Sequence, residues 1–195
     1  MEGIRSFIAI EIPGPLRARV EELQRELQRA GADVKWVRPG AIHLTLKFLG
    51  SISGEDVEKL ARSLGPVISL WTPFELRIRG VGCFPSGRNP RVVWAGIKQG
   101  SVEASSLQKA VEDQATEVGF PPESRAFKPH LTLGRVRSPK GKSSLTSAIE
   151  NQWDVEIGSF LVSEVYLFKS ELKPGGAIYT KLRTFPMGSR ESADE

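Results

Sequence analysis

Four residues, His43-Leu44-Thr45-Leu46, recur letter for letter as His130-Leu131-Thr132-Leu133, and the two copies hold both histidines of the 195-residue chain. Successive side chains of a strand point to opposite faces. Each copy therefore sets an imidazole and a threonine hydroxyl on one face and two leucines on the other. The leucines suit a core, and the polar face suits chemistry at a phosphodiester. Imidazole, with an unperturbed pKa of about 6.5, takes or gives a proton close to neutrality. One histidine would take a proton from an attacking water and the other would give one to the departing oxygen, each transfer being worth about 10²–10⁴ in rate. The threonine hydroxyls would donate to the non-bridging oxygens, where transition-state charge collects. A nearby arginine would add a charged, forked donor.

Other chemistries fit these residues less well. Two histidines with no Asp or Glu at ligand spacing and no cysteine pair make a poor zinc site, so neither metal nor cofactor is expected. A Ser-His-Asp triad leaves the doubled histidine frame unexplained. No glycine-rich phosphate loop is present. The one cysteine, Cys83, cannot form an internal disulfide and suits a small buried position better than a nucleophile.

The elements that must carry the two frames are legible from periodicity. Residues 6–12 read as a buried strand, broken by Pro13-Gly14-Pro15. Leu16, Val20, Leu23, Leu27 and Ala30 form one helical stripe that Gly31 ends. A short strand at 34–37 and a Pro39-Gly40 turn lead into the first HLTL strand, 43–48. Ser53 with Glu55 and Asp56 signals a helix start, and Val57, Leu60, Ala61, Leu64 and Ile68 give its stripe. Residues 74–81 alternate as a strand with Arg77 and Arg79 on its polar face, 82–87 read as a loop, and 91–97 as the next strand. A helix over 101–118 carries Leu107, Val111, Ala115 and Val118. The second HLTL strand, 130–136, is followed by a basic loop at 138–144 and a short helix at 145–149. Residues 159–169 read as one bent strand, and 178–185 as the strand that hairpins back after Lys173-Pro174-Gly175-Gly176. Residues 188–195 are polar and expected to be a disordered tail, leaving 1–187 as one domain.

The echo extends beyond the tetrapeptide. Phe7 precedes His43 by 43 − 7 = 36 positions and Trp94 precedes His130 by 130 − 94 = 36, each time in the order strand, helix, proline, HLTL strand. A recurring unit of this kind implies two similar lobes, brought together across a cleft by a pseudo-two-fold, in an α+β arrangement with helices on the outer face of each sheet. The composition, 39% hydrophobic and 26% charged, is that of a soluble globular chain, and a net charge of +4 favours an anionic partner. No secretory signal or run of about 20 apolar residues is present, so a cytoplasmic location is expected.

The strings HLTLKFLG (43–50) and KPHLTLGRV (128–136), together with FIAIEI (7–12), KWVRPGAI before the first motif, GCFP (82–85) and the closing strand pair, resemble the 2H phosphoesterases. Within that superfamily they are similar to the bacterial and archaeal RNA 2′,3′-cyclic phosphodiesterases, also called 2′-5′ RNA ligases. The likeness covers nearly the whole chain. It implies a bilobal fold with the two motifs lining a central cleft. It also implies metal-independent opening of a 2′,3′-cyclic phosphate at an RNA end to a 2′-phosphomonoester, with reversible 2′-5′ joining of RNA ends as a secondary activity. On this resemblance His43 is the proton donor to the 3′-oxygen, His130 the acceptor of a proton from water, and Thr45 and Thr132 hold phosphate oxygens. The implied partner is RNA with a 2′,3′-cyclic phosphate end, such as a tRNA fragment or other oligonucleotide, acted on by a monomer. The residues alone give an acid/base pair without saying which histidine is which.

Further residues stand as candidates beside structural readings. Arg135 would clamp phosphate, yet strict alternation puts it on the leucine face. Phe48 falls on that face by the same count and either stacks a base or packs in the core. Lys47 falls on the histidine face, meeting RNA phosphates or solvent. Phe84 lines the cleft or caps the core. Arg77, Arg79, Arg88 and Arg91 either track an RNA backbone or form a solvated face. Two alternatives remain open: a relative acting on a small cyclic nucleotide, and a non-catalytic module that binds RNA ends.

Overall fold

The computed structural model describes residues 3–174 and 176–188. The expected tail, Gly188 apart, lies outside them. Nine strands and four helices are described. In chain order they are β1 (Ile4–Glu11), α1 (Gly14–Gln28), β2 (Val34–Trp36), β3 (His43–Ile52), α2 (Gly54–Ile68), β4 (Phe74–Ser86), β5 (Asn89–Gln99), α3 (Ser101–Glu117), β6 (His130–Val136), α4 (Lys142–Asn151), β7 (Glu156–Val162), β8 (Glu164–Lys173) and β9 (Gly176–Pro186). The first sheet has the order β3-β1-β8-β9 and the second β2-β6-β5-β4-β7, and every pairing is antiparallel. The fold is thus α+β, with two lobes of antiparallel sheet. Their apolar faces feed one core, which runs from Ile8, Ile10 and Leu44 in the first sheet to Leu76, Val93 and Leu131 in the second.

Helix faces follow the expected stripes. Leu16, Val20, Leu23 and Leu27 are buried on α1. Val57, Leu60, Leu64 and Ile68 are buried on α2, which opens with a complete capping box between Ser53 and Asp56. The two halves exchange helices. α1 lies in sequence between two strands of the first sheet, yet packs on β7 and α4 beside the second. α3 follows β5 of the second sheet, yet packs on β3 and α2 beside the first.

Both HLTL strands depart from regular alternation at the same place. Ile8 pairs with Lys47 and Ala9 with Thr45, so Leu46 is an inserted residue in β3; a second insertion, Leu49, follows between Phe48, opposite Phe7, and Gly50, opposite Ser6. Val93 pairs with Gly134 and Trp94 with Thr132, so Leu133 is an inserted residue in β6. A bulge of one residue reverses the facing of everything beyond it. Lys47 thereby turns to the helix side, where it is only 5% exposed. Its ammonium donates to Glu112 Oε1 of α3 at 2.6 Å and to the Pro121 carbonyl at 3.0 Å. The expectation that Lys47 shares the histidine face is therefore corrected: it is a buried anchor for α3. At the matching position of β6 stands Gly134, where a Cβ would come within 2.6 Å of Val34 and 3.0 Å of Trp36, side chains of the adjoining strand β2. The Leu133 carbonyl accepts from the Val37 N–H at 2.9 Å and from the Gln24 amide of α1 at 2.9 Å.

Three further expectations change. Residues 82–87 do not form a loop: 82–86 continue β4 as a long ribbon paired with β5. Residues 159–169 are not one strand. The chain leaves the second sheet at Val162 and enters the first at Glu164, so a run uniformly rich in β-formers serves two sheets. The equal spacing of 36 does not mark equivalent positions. Trp94 lies opposite Thr132, whereas Ala9 lies opposite Thr45 and Phe7 opposite Phe48.

The buried Lys47–Glu112 pair gives a direct test of the bulge. Replacing one partner strands a buried charge, so Lys47→Met is expected to cost about 3 kcal/mol of unfolding free energy, and adding Glu112→Leu to restore most of it. Denaturant midpoints of the parent, single and double variants measure both effects. A single variant as stable as the parent would show that Lys47 does not anchor α3.

Candidate active site

The bulges decide which side chains meet between the sheets. Beyond Leu46, Phe48 swings onto the face of His43 and Thr45. Beyond Leu133, Arg135 swings onto the face of His130 and Thr132. A cavity of about 530 Å³ results, lined by His43, Thr45 and Phe48 from β3, Thr132 and Arg135 from β6, and Tyr179 from β9. Strict alternation is thus corrected for both Phe48, which is 65% exposed at the rim, and Arg135. His130 adjoins this cavity through Thr132, two residues along the same strand face, and is not itself part of its lining.

The two imidazoles are oriented alike. His43 Nδ1 lies 2.9 Å from the Ala41 carbonyl and His130 Nδ1 lies 2.6 Å from the Lys128 carbonyl. A carbonyl only accepts, so each Nδ1 carries the proton and each neutral ring keeps its lone pair on Nε2. The partner lies two residues before the histidine in both copies, so the duplicated frame fixes the tautomer as well as the facing.

Their surroundings differ. His43 stacks on Phe7, with ring centroids 4.5 Å apart, and meets Tyr179 edge-on at 5.3 Å. Burial among these rings pushes its pKa down to about 4, against the opposing effect of the Ala41 carbonyl. His130 is more open. Phe84 abuts it edge-on at 5.1 Å, and Trp94 lies 5.2 Å beyond Phe84. Its pKa is lowered by burial first, opposed by the Lys128 carbonyl and helped by the Arg135 charge. Gly82 leaves the room that the Trp94 indole occupies, since a Cβ there would come within 2.3 Å of the indole.

Phe84 is therefore in contact with an imidazole, outside the main cavity. Arg77 is held bidentately by Glu156 and Arg79 by Asp154, so these two cations tie β4 to the start of β7 and do not line the cleft. Arg88 sits in the exposed β4–β5 turn and Arg91 just after it, also outside the cavity lining. Sequence reasoning missed Arg5, Phe7 and Tyr179 as cavity residues. Phe7 and Arg5 were within reach by counting alternate positions back along β1. Tyr179 carried no local signal, because it arrives from the far end of the chain. Among the described residues no three or more His, Cys, Asp or Glu side chains group as a metal site, and no helix is long and apolar enough to cross a membrane.

Comparison with known proteins fits this geometry. The sequence model of the LigT-like phosphoesterases matches residues 10–94 and again 97–179, one HLTL in each segment. The chain belongs to the LigT-like phosphoesterase family. Among relatives in this family, it is 39% identical to an RNA 2′,3′-cyclic phosphodiesterase of Methanothermobacter thermautotrophicus, over 93% of this chain and 98% of that one. It is 34% identical to the protein of that name from Thermus thermophilus, over 98% and 94%. Among solved structures, one from Thermus thermophilus superposes with a TM-score of 0.79 at 30% identity, covering 95% of this chain and 99% of that one. E. coli LigT complexed with 3′-AMP gives 0.76 at 26% identity, covering 95% and 99%. In this LigT-like phosphoesterase the two matched segments thus divide the chain between its two histidines.

The depressed His43 has a consequence for stability. The unfolded chain binds a proton near pH 6.5 and the folded chain only near pH 4, so the stability present above pH 6.5 is lost as the pH falls through that window. Between pH 7 and 5 this amounts to about 2 kcal/mol at about 1.4 kcal/mol per unit. His43→Gln is expected to flatten that part of the profile when denaturant midpoints are compared at the two pH values. Parallel profiles for parent and variant would refute it.

Proposed function

We propose that this chain hydrolyses RNA 2′,3′-cyclic phosphate ends to 2′-phosphomonoesters without a metal, using His43 and His130 as the acid/base pair. The observation that carries the reading is one cavity walled by Thr45 and Thr132, each two residues beyond a histidine on the same strand face. The names of the relatives support the substrate, and the adjacency of β3 and β6 supports a shared phosphorus.

In this mechanism His130 Nε2 takes a proton from water as the water oxygen bonds to phosphorus. The bond from phosphorus to O3′ breaks, and His43 Nε2–H gives its proton to O3′, leaving the phosphate on O2′. Thr45, Thr132 and Arg135 hold the non-bridging oxygens as charge builds on them. The low pKa of His43 suits the acid role: an incoming phosphate monoanion favours the imidazolium, and an imidazolium with a depressed pKa is the stronger donor. Proton exchange with solvent resets the pair. Phe48, at the rim, stacks a base; with the 5′-hydroxyl of a second RNA in place of water, its proton passing to His130 as O5′ bonds to phosphorus and O3′ departs, the same displacement joins RNA ends through a 2′-5′ linkage.

Incubation with an RNA ending in a 2′,3′-cyclic phosphate is expected to give a 2′-phosphate, in EDTA as well as without it. His43→Ala and His130→Ala should each lower kcat by about 10²–10⁴. A 3′-phosphate product, or loss of activity in EDTA, would overturn the mechanism. Because burial lowers both imidazoles, kcat/KM, which reports the free protein, should follow a bell with its optimum on the acid side of neutrality. A rate that climbs steadily with pH would refute the pairing.

A further inference from the structure

We propose that Ser51, Arg5 and Ser170, a row across the inner face of the first sheet, form a second phosphate subsite for the non-reacting phosphodiester next to the terminal nucleotide of an RNA. The proposal rests on the function argued above and names what the cleft reads beyond the reacting phosphate.

Arg5 of β1 lies directly opposite Ser51 of β3. On its other side Ser6 pairs with Lys169, and the antiparallel register carries the next residue of β8, Ser170, across from Arg5. All three line the same cavity as His43, Thr45 and Thr132. A guanidinium fork between two hydroxyls is a set of donors with one chemical match, a tetrahedral oxyanion. No carboxylate lines this cavity among the described residues to compete for Arg5, and Glu11, at the far end of β1, is paired with Arg17 and Lys181. No ion pair among the described residues includes Arg5 or Arg135, whereas Arg77 and Arg79 on β4 are both neutralised. Arg5 of the first sheet and Arg135 of the second line this cavity together with Tyr179, so both sheets present a guanidinium group to it.

Spacing decides which phosphate this is. Arg5 stands four residues along β1 from Ala9, the partner of Thr45, a separation of about 13 Å at about 3.3 Å per residue. A long arginine side chain narrows that gap to the scale of one nucleotide. The Phe7–Phe48 pair lies between the two rows, where a ribose or base would rest. The reacting phosphate at the threonines and a neighbour at Arg5 thus belong to consecutive nucleotides.

The test compares a dinucleotide bearing a 2′,3′-cyclic phosphate with the nucleoside 2′,3′-cyclic phosphate, which has no second phosphate. Arg5→Gln is expected to lower the ratio of kcat/KM for dinucleotide over nucleoside by about tenfold, through KM, a charged hydrogen bond being worth roughly that much. Arg5→Lys should recover part of it. A dinucleotide with an uncharged methylphosphonate linkage should be handled by the parent as the variant handles the charged one. An unchanged ratio, or a parent indifferent to linkage charge, overturns the subsite. If the parent opens no cyclic phosphate, the proposed function fails. Binding of a dinucleotide 2′-phosphate, with charged or methylphosphonate linkage, then decides the subsite alone, and equal affinities overturn it.

Discussion

Each HLTL strand carries, at the last residue of its motif, an insertion that its partner strand does not match, and the fold is arranged to hold that residue in place. Without the insertions, Arg135 and Phe48 would point into the core and Lys47 into the cleft. Burying an unpaired guanidinium costs several kcal/mol, so the regular register is not a usable alternative. The exchanged helices provide the clamps. α3, which follows a strand of the second sheet, receives Lys47 from the first bulge. α1, which follows a strand of the first sheet, donates from Gln24 to the carbonyl exposed by the second. Each lobe thus depends on the other half of the chain for the local irregularity that shapes its own face. Two halves that could in principle fold apart are committed to one core.

Identical frames do not give identical histidines. Both rings have the same tautomer, fixed by a carbonyl two residues back. Only His43 is sealed against an aromatic floor of Phe7, Phe168 and Tyr179, while His130 has a single aromatic neighbour at its edge and an arginine charge nearby. Acid and base roles at one phosphorus require two groups whose environments differ. Duplication supplies the pair, and the unlike residues that pack around each copy supply the difference. The glycine that answers Lys47, and Val92 that answers Phe7, show how far the two lobes have parted in side chains while keeping one backbone plan.

Much of the fold was legible because its elements are strongly periodic. The stripes of α1, α2 and α3 and the alternation within each HLTL motif follow from burial of one face, and the unbroken apolar run of β1 from burial of both. Failures fell where a local pattern has two tertiary uses. Residues 159–169 are uniformly strand-forming, and nothing local says that the chain changes sheets at Ser163. Residues 82–86 look like a loop, yet β5 pairs along the whole ribbon. At the site, alternation placed His43, Thr45, His130 and Thr132 on their faces and misplaced Lys47, Phe48 and Arg135, all three lying beyond a bulge.

The sequence by itself determined the repeated frame, the facing of each imidazole beside its hydroxyl, and the leucines that anchor them, because these depend only on the two-residue period of a strand. Only the tertiary structure decided the rest. It set the position of the inserted residues, the partners that hold them, the burial that lowers His43, and the meeting of Arg5 and Tyr179 with β3 and β6 in one cavity. Each of these depends on which distant segment packs against a strand, and a contact between residues far apart in the chain leaves no mark on the local spacing of either.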